Sequence, residues 1–171
     1  MLWAVIMAGG FGTRFWPESR KKTPKQFLKI FGKKTLLEET VERVGSGIPS
    51  SQILVVTQKD KVATAQSLLR KFPAGNFLGE PVGRNTAPCA ILAAALLVKK
   101  DHEAVLVLLP ADHKIKKINV FRKALQAAYR VAQEEKLPVT FGIKPNFPHT
   151  GYGYLEMQGL KKKQNGFPVY R

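Results

Sequence analysis

Three glycines interrupt the chain directly after its first apolar run, within the segment Ala8-Gly9-Gly10-Phe11-Gly12-Thr13-Arg14. Glycine allows positive φ angles and a close approach of backbone N–H groups to an anion, so this loop is suited to cradle phosphate. It lacks the Gly-Lys-Ser/Thr ending of a Walker A loop, and Arg14 stands where a dinucleotide-binding fingerprint has its third glycine. An arginine at that place indicates a side chain that clamps phosphate oxygens. The alternative is an ordinary tight turn after a strand.

A lysine follows a proline in the segment Thr23-Pro24-Lys25-Gln26-Phe27. Proline restricts the backbone ahead of Lys25, which favours a fixed position for the ammonium group. A fixed ammonium can neutralise the charge that develops on a phosphate under attack. The chain holds 28 lysines and arginines, and the alternative for Lys25, taken without its neighbours, is a solvated surface charge like Lys21 and Lys22.

A carboxylate, a glycine, a cation and a helix start lie together in Glu80-Pro81-Val82-Gly83-Arg84-Asn85-Thr86-Ala87-Pro88. Glu80 can accept hydrogen bonds from N1–H and the 2-amino group of guanine together, a pattern that adenine and uracil do not offer. The main chain near Gly83 and the amide of Asn85 can supply further contacts to the base. The alternative is a capped helix start, which Thr86 satisfies by itself. That alternative does not account for the charged residues beside it.

Asp112 follows the apolar run Val105–Leu109. A carboxylate at the carboxyl end of a strand is well placed to hold Mg²⁺ on triphosphate oxygens. A single aspartate can equally cap the next turn. Cys89 and the three histidines have no zinc-ligand spacing, which favours surface or packing roles for them.

Glycines and tyrosines alternate in Thr150-Gly151-Tyr152-Gly153-Tyr154-Leu155-Glu156. The Gly153 N–H group and the Tyr152 side chain can contact sugar hydroxyls at close range. A β-turn followed by aromatic strand pairing is an equally good interpretation of the local pattern.

Strand and helix signals alternate along the chain, which places the first four of these segments between strands and helices. Short apolar runs predict strands at Leu2–Met7, Gln52–Thr57, Ala104–Leu109 and Val139–Ile143. This alternation implies an α/β fold with a Rossmann-like, mostly parallel sheet and helices on both faces. Ligands of such sheets bind beyond the carboxyl ends of the strands.

Helix signals are readable in four segments. The predicted helices are Leu36–Val44 behind a Thr35–Glu38 capping box, a segment through Leu69 capped by Asp60, a segment through Lys100 capped by Thr86 with Pro88 in its first turn, and the amphipathic segment Phe121–Glu135. From Lys144 on, the sequence is rich in loop-forming residues, and FPVY (167–170) has the composition of a strand start.

The net charge of +16 would attract any polyphosphate. The cations are scattered over predicted loops and helix ends without an aromatic-and-basic motif, so no specific nucleic-acid partner is expected. A lysine-rich, solvated surface is the simpler explanation.

Three features of the sequence bear on where the protein is found. Cys89 is the single cysteine, no apolar stretch has the length of a membrane span, and the first residues lack the basic start of a signal segment. We expect a cytoplasmic location and no membrane partner.

Together these segments resemble the mannose-1-phosphate guanylyltransferases, also called GDP-mannose pyrophosphorylases, a branch of the sugar-phosphate nucleotidyltransferases. The resemblance runs through essentially the whole chain in the family's order, as MAGGFGTRFWPES, TPKQFL, GEPVGRNTAP, LLPADH, FGIKP and TGYGYLE. AGGxGTR is typical of the superfamily, whereas PKQF combined with EPxGRNTAP is specific to the mannose and guanosine branch. The fold implied is the nucleotide-diphospho-sugar transferase type.

The resemblance implies a Mg²⁺-dependent reaction in which α-D-mannose 1-phosphate attacks the α-phosphorus of GTP, forming GDP-mannose and releasing pyrophosphate. It makes Arg14, on the outgoing phosphates, and Lys25, between the α-phosphate and the sugar phosphate, the catalytic candidates. The other implied contacts are Ala8, Gly9, Gly10, Gly12 and Thr13 to the nucleotide, Glu80, Gly83, Asn85 and Thr86 to guanine and ribose, Asp112 to the metal, and Tyr152 and Gly153 to the sugar.

The chain departs from the family pattern at its C-terminal end. Family members are longer, and their next segment carries a Glu-Lys-Pro motif for the sugar and its phosphate, with a second metal-binding aspartate later. We therefore expect residues 1–171 to be the nucleotide-binding part of a single catalytic domain that is incomplete at the C-terminus, with no second domain. Nucleotide binding is expected to survive, with turnover severely reduced or absent.

Two other functions stay open at this point. One is a pyrophosphorylase for another sugar phosphate or another base, and the other is a noncatalytic regulatory homologue that binds nucleotide sugars. Arg14, Lys25 and Asp112 argue against the second, because a sensor does not need groups for attack on a phosphate. The sequence leaves the oligomeric state open, with a homodimer as one candidate, and also leaves open a fusion to an isomerase domain in a longer parent.

Overall fold

A computed structural model describes residues 1–10, 15–20, 22–83 and 85–170 of the chain. These residues form two compact units, 1–116 and 117–171. The described part of the first unit contains four strands and three helices, in the order β1 (Leu2–Met7), α1 (Leu36–Gly45), β2 (Ile53–Gln58), α2 (Val62–Leu68), β3 (Phe77–Glu80), α3 (Thr86–Leu97) and β4 (Val105–Pro110).

The four strands form one parallel sheet in the order β3-β2-β1-β4. This order is one half of the doubly wound Rossmann arrangement, in which the chain reverses direction across the sheet between β1 and β4. The prediction of a Rossmann-like α/β fold is thus confirmed. The predicted limits of β1 match the structure, while β2 and β4 lie one residue later than predicted.

The hydrophobic core covers both faces of β1 and β2. One face packs against α3 in a cluster of buried side chains: Trp3, Val5, Leu54, Val56, Cys89, Ala93 and Leu97. Ala4, Ile6, Ile53 and Val55 alternate to the other face and are also completely buried. Strands covered on both faces read as continuous apolar runs rather than as alternating patterns, which is why β1 and β2 could be predicted from the sequence.

The start of α1 has the predicted capping box. The Thr35 hydroxyl accepts a hydrogen bond from the Glu38 N–H at 3.2 Å, and the Glu38 carboxylate accepts one from the Thr35 N–H at 2.7 Å. The two other predicted caps are wrong. Asp60 lies inside a 3-10 turn that precedes α2, and the cap position of α3 is held by Asn85 rather than Thr86, without a side-chain cap at either helix.

The second unit, 117–171, contains α4 (Ile118–Glu135) and a hairpin of β5 (Leu160–Gln164) and β6 (Phe167–Tyr170). The hairpin turns at Asn165-Gly166, where both residues have positive φ as a type I′ turn requires. The predicted strand at Val139–Ile143 is wrong, since these residues form neither helix nor strand. Among the described residues no helix is both long and apolar enough to cross a membrane.

Candidate functional site

Four polar or glycine positions line up across the carboxyl edge of the sheet. Met7 pairs with Val56 and with Pro110, so Gly9, two residues beyond the end of β1, is level with Gln58 and Asp112. Gln58 pairs in turn with Glu80 at the end of β3. The strand register, extended by two residues beyond β1 and β4, therefore places four residues in one row across the sheet: Glu80, Gln58, Gly9 and Asp112. This row is the candidate site.

The backbone of Ala8 and Gly9 is fixed by side chains from two other segments. The Ala8 carbonyl oxygen accepts hydrogen bonds from Gln26 Nε2 at 2.5 Å and from Thr57 Oγ1 at 2.9 Å. The Gly9 carbonyl oxygen accepts one from Gln58 Nε2 at 3.2 Å. The Ala8 N–H donates to the Val56 carbonyl at 2.7 Å, which continues the pairing of β1 with β2 into the loop.

Glu80 lies against the glycine loop. Its side chain is 7% exposed, and a methyl group added at Gly9 would stand 2.6 Å from Glu80 Oε2. Burial raises the pKa of the Glu80 carboxyl above its ordinary value. Burial, and then the charge of Glu80, also raise the pKa of the Cys89 thiol to about 11, so this core cysteine is a protonated thiol at neutral pH.

Lys25 forms an ion pair with Asp112, although the two residues are far apart in the sequence. Both side chains are about three-quarters buried, with exposed fractions of 22% and 25%. Lys25 opens a 3-10 turn behind the extended Pro24, and its Cε lies 3.9 Å from the position that a methyl group on Gly10 would take. The Ala111 N–H donates to the Met7 carbonyl at 3.1 Å, which carries the β1–β4 pairing up to the residue before Asp112.

The donor set at this edge fits a magnesium ion shared with a ligand. Within the described parts of the chain, no group of three or more His, Cys, Asp or Glu side chains could hold a metal ion by itself. Magnesium usually takes one or two protein carboxylates and completes its shell with water and phosphate oxygens. Asp112 supplies one such carboxylate, and His113 Nε2 stands 3.9 Å from its other oxygen.

The structure thus brings together six of the residues predicted from the sequence: Ala8, Gly9, Gly10, Lys25, Glu80 and Asp112. Gly83, Asn85 and Thr86, the predicted contacts to guanine and ribose, follow β3, and Asn85 has the unusual backbone angles φ 62° and ψ −160°. This region of backbone conformation is essentially confined to glycine. Gly12, Thr13 and Arg14 lie outside the described residues.

Tyr152 and Gly153, the predicted sugar contacts, belong to the second unit. The Tyr152 ring stacks on His149 at 4.3 Å between centroids, and the Tyr154 hydroxyl accepts a hydrogen bond from the His149 N–H at 2.7 Å. The segment forms a turn at 150–152 but no strand, so the strand-pairing alternative is wrong.

Sequence reasoning missed Gln26, Thr57 and Gln58. Thr57 and Gln58 are polar residues at the end of an otherwise apolar strand, which is a signal that could have been followed. The contact of Gln26 with Ala8 has no such signal, because it depends on how the PKQF segment folds back onto the loop.

The chain is similar in sequence to a known family and to curated proteins. The family model described as "Nucleotidyl transferase" matches residues 3–166. The mannose-1-phosphate guanylyltransferase of Escherichia coli is 43% identical over 158 residues, which cover 91% of this chain and 33% of that protein. The Salmonella montevideo enzyme of the same name is 44% identical over 168 residues, covering 96% of this chain and 35% of its own.

The chain also resembles a solved structure. A crystal structure of mannose-1-phosphate geranyltransferase from Thermus thermophilus superposes with a TM-score of 0.70 at 38% identity, covering 78% of this chain and 38% of that one. The chain spans about one third of the length of the curated relatives it matches.

Proposed function

The chain belongs to the nucleotidyl transferase family, and from this premise we propose that it binds GTP and Mg²⁺ at the carboxyl edge of its sheet for guanylyl transfer to mannose 1-phosphate. The substrate pair is supported by relatives that carry the name mannose-1-phosphate guanylyltransferase. The observation that carries the proposal is the ion pair of Lys25 with Asp112 beside Gly10. In this proposal residues 1–171 are the nucleotide-binding part of a guanylyltransferase domain.

The glycine loop binds the triphosphate through its backbone. The N–H groups of Gly9 and Gly10 donate hydrogen bonds to phosphate oxygens, which needs no side-chain rearrangement because the loop is already anchored. Arg14, in the part of the loop outside the described residues, keeps its predicted role on the outgoing β- and γ-phosphates.

Lys25 and Asp112 supply the two charges that the reaction needs. Asp112 would hold Mg²⁺, which when bound neutralises phosphate oxygens and keeps them in a reactive arrangement. Release of Asp112 from the ion pair frees the Lys25 ammonium to face the α-phosphate and the incoming sugar phosphate. Two anions must approach each other in this reaction, so a positive charge between them lowers the barrier.

The sugar phosphate is itself the nucleophile, and no covalent enzyme intermediate is required. One of its oxygens forms a bond to the α-phosphorus of GTP while the bond to the β-phosphate bridging oxygen breaks, releasing pyrophosphate. The protein contributes alignment and charge neutralisation rather than proton transfer.

Recognition of guanine is assigned to Glu80 and the segment that follows it. The buried Glu80 carboxylate gains from a ligand that donates to it, since its pKa is raised by the lack of solvation. The N1–H and 2-amino groups of guanine offer two donors in the required pattern, with Gly83, Asn85 and Thr86 around the base and ribose. Tyr152 and Gly153 keep their assignment to the sugar as part of this proposal.

The proposal is tested by calorimetric titration of the chain with GTP and with ATP in the presence of Mg²⁺. We expect GTP to bind at least about tenfold more tightly than ATP. A tenfold difference in Kd corresponds to about 1.4 kcal/mol of binding free energy from the base contacts. Lys25→Ala should weaken GTP binding by more than about tenfold, whereas Lys22→Ala, at an exposed lysine nearby, should change it less than about twofold.

Equal affinity for the two nucleotides would contradict guanine recognition. Equal effects of the two lysine substitutions would show that the net charge of +16 attracts nucleotides without a site. Release of pyrophosphate from GTP by residues 1–171 should be severely reduced or absent. Any release should depend on mannose 1-phosphate, and release driven equally by glucose 1-phosphate would contradict the assigned sugar.

A further inference from the structure

Two successive carbonyl oxygens of the glycine loop are occupied by side chains from elsewhere in the fold. Gln26 and Thr57 both donate to Ala8, and Gln58 donates to Gly9. Gln26 is 2% exposed and Thr57 is completely buried. Gln26 lies next to Lys25 in the TPKQF segment, whereas Thr57 and Gln58 end strand β2.

The carbonyl direction fixes the direction of the N–H groups. In a trans peptide the N–H of one residue points opposite to the carbonyl of the residue before it, and the Ala8–Gly9 and Gly9–Gly10 bonds are not among the cis bonds of the described chain. The Gly9 N–H therefore points away from Gln26 and Thr57, and the Gly10 N–H points away from Gln58. Neither N–H forms a hydrogen bond within the described residues.

The glycines alone do not fix the orientation of these N–H groups, so other residues must do so. A glycine-rich loop can rotate its peptide planes at little cost, and a rotated peptide would present a carbonyl oxygen instead of an N–H to an anion. Buried donors oppose that rotation, since it would leave the Thr57 hydroxyl and the Gln26 amide without an acceptor inside the protein.

We propose that Gln26, Thr57 and Gln58 are positioning residues that hold the Ala8 and Gly9 carbonyls inward, so that the Gly9 and Gly10 N–H groups face phosphate oxygens. The inference rests on the proposed function, because it assigns the loop to the triphosphate. Gln26 adds a second effect. It is adjacent to Lys25, so the same hydrogen bond ties the position of the catalytic ammonium to that of the loop.

Thr57→Val is the sharpest test, because valine has the shape of threonine and lacks the hydroxyl donor. Thr57→Ser keeps the donor and should restore wild-type binding. Thr40→Val is the control, since Thr40 is also buried and its hydroxyl donates to the Leu36 carbonyl at the same distance of 2.9 Å, but on α1. The Thr40 hydroxyl also accepts a hydrogen bond from the buried Arg43 at 2.7 Å, so Thr40→Val should lose at least as much stability as Thr57→Val. A loss of ligand affinity that follows stability alone would therefore be at least as large in Thr40→Val.

Gln26→Leu provides a second variant with its own control. Asn76 is a buried amide that donates to the carbonyls of Ser50, Ser51 and Ile53 at the opposite end of β2. Asn76→Leu should lower the melting temperature without affecting ligand affinity. The Gln58 side chain is only partly buried, so of the three substitutions Gln58→Leu should disturb folding least.

The readout is the affinity for tripolyphosphate, for GTP and for guanosine, with Mg²⁺ present and folding checked by near-ultraviolet circular dichroism. We expect Thr57→Val and Gln26→Leu to bind tripolyphosphate and GTP about tenfold more weakly than wild type, with guanosine affinity unchanged and with both controls unchanged for all three ligands.

Wild-type affinity of these variants for tripolyphosphate would overturn the inference, as would a wild-type chain that does not bind tripolyphosphate. A parallel loss of guanosine affinity would also overturn it, because a positioning role at the phosphates does not reach the base. Equal binding of GTP and ATP would contradict the proposed guanine specificity alone, since tripolyphosphate tests the loop without any base.

Discussion

Gly9 is the position where the site leaves no room for a side chain. A methyl group there would lie 2.6 Å from Glu80 Oε2, while one at Gly10 would lie 3.9 Å from Lys25 Cε, an ordinary contact distance. The two adjacent glycines are therefore not equivalent. Gly9 is required by packing, and Gly10 is required only if a ligand approaches it closely.

Gly9→Ala should weaken GTP binding by about tenfold or more, because overpacking of this size costs about 1–3 kcal/mol and displaces either Glu80 or the loop. Gly10→Ala should raise the unfolding free energy slightly or leave it unchanged. Titration with GTP and denaturant unfolding of both variants measure the contrast. Wild-type GTP affinity in Gly9→Ala would mean that the Glu80 side chain turns away freely.

The buried Glu80 carboxyl gives the stability of the fold a predictable pH dependence. Its pKa is raised in the folded protein above the ordinary value of 4.5, so the folded state favours the protonated form. The contribution of Glu80 to stability is complete below pH 4.5 and is lost as the pH rises through the folded-state pKa.

Glu80→Gln keeps the shape of the side chain and cannot ionise. It should therefore be more stable than wild type at about pH 7, and the advantage should shrink as the pH falls towards the ordinary carboxyl pKa. Denaturant unfolding across this range measures it, with the exposed Glu156→Gln as control. A Glu80→Gln variant less stable than wild type at neutral pH would show that an unidentified donor stabilises the charged carboxylate.

Among the elements, β1 and α1 could be predicted because local signals decide them. A continuous apolar run ends in glycines at β1, and a Thr-x-x-Glu pattern starts α1. The sequence does not predict β3, because this strand has only four residues and its Leu78 and Gly79 are partly exposed. That omission matters, since Glu80 is the last residue of β3 and the row across the sheet cannot be foreseen without it.

The turn of the β5–β6 hairpin could be predicted from the sequence, whereas strand β5 could not. The Asn165-Gly166 pair is a strong hairpin signal, but β5 reads Leu-Lys-Lys-Lys-Gln and lacks the composition of a strand. Its lysines are compatible with a strand because they pair with acidic residues at the end of α4: Lys161 with Glu135 at 2.5 Å and Lys162 with Glu134 at 3.1 Å. Tertiary contacts overrule local propensity here, whereas the wrongly predicted strand at Val139–Ile143 has apolar, strand-like residues that are exposed and pair with no strand.

The start of α3 stores backbone strain at Asn85. Its φ of 62° and ψ of −160° lie in a region that glycine occupies readily and other residues do not. Asn85→Gly should raise the unfolding free energy by about 1 kcal/mol, the strain removed less the entropy that glycine loses on folding. The same variant loses the amide proposed to contact guanine, so its preference for GTP over ATP should fall.

Asn165→Gly is the matched control, because Asn165 has φ of 50° in a hairpin turn that suits asparagine. It should change stability by less than about 0.5 kcal/mol. Denaturant unfolding of both variants decides the matter, and an Asn85→Gly protein that is less stable than wild type would show that the Asn85 side chain contributes more than its backbone costs.

For the molecule as a whole, the charge balance is extreme. The chain carries 28 basic and 12 acidic residues, so most cations have no acidic partner available and repel one another. Raising the KCl concentration from about 20 mM to about 300 mM shortens the Debye length from roughly 20 Å to below about 10 Å. The melting temperature should rise with it, by about 3 °C for each kcal/mol of repulsion removed. A melting temperature that falls with salt would show that exposed ion pairs such as Lys34–Glu42 outweigh the repulsion.

The scattered charge also explains why the site could be predicted only in part. Lys25 could not be separated from other lysines by composition, and its partner Asp112 is distant in sequence. The family resemblance identified both, but their direct contact depends on the parallel register of β1 and β4. The charged groups of the site could thus be predicted from the sequence, whereas the contacts of Gln26, Thr57 and Gln58 with the loop carbonyls could not.

Binding of a triphosphate on the glycine loop between Glu80 and Asp112 can be followed residue by residue with ¹H–¹⁵N NMR of the labelled chain titrated with MgGTP. We expect the largest amide shifts at Gly9 and Gly10, with further shifts at Glu80 and Asp112, and saturation at one nucleotide per chain. Shifts that centre on lysine-rich segments such as Lys161–Lys163 without saturating, and leave Gly9 and Gly10 unchanged, would contradict it.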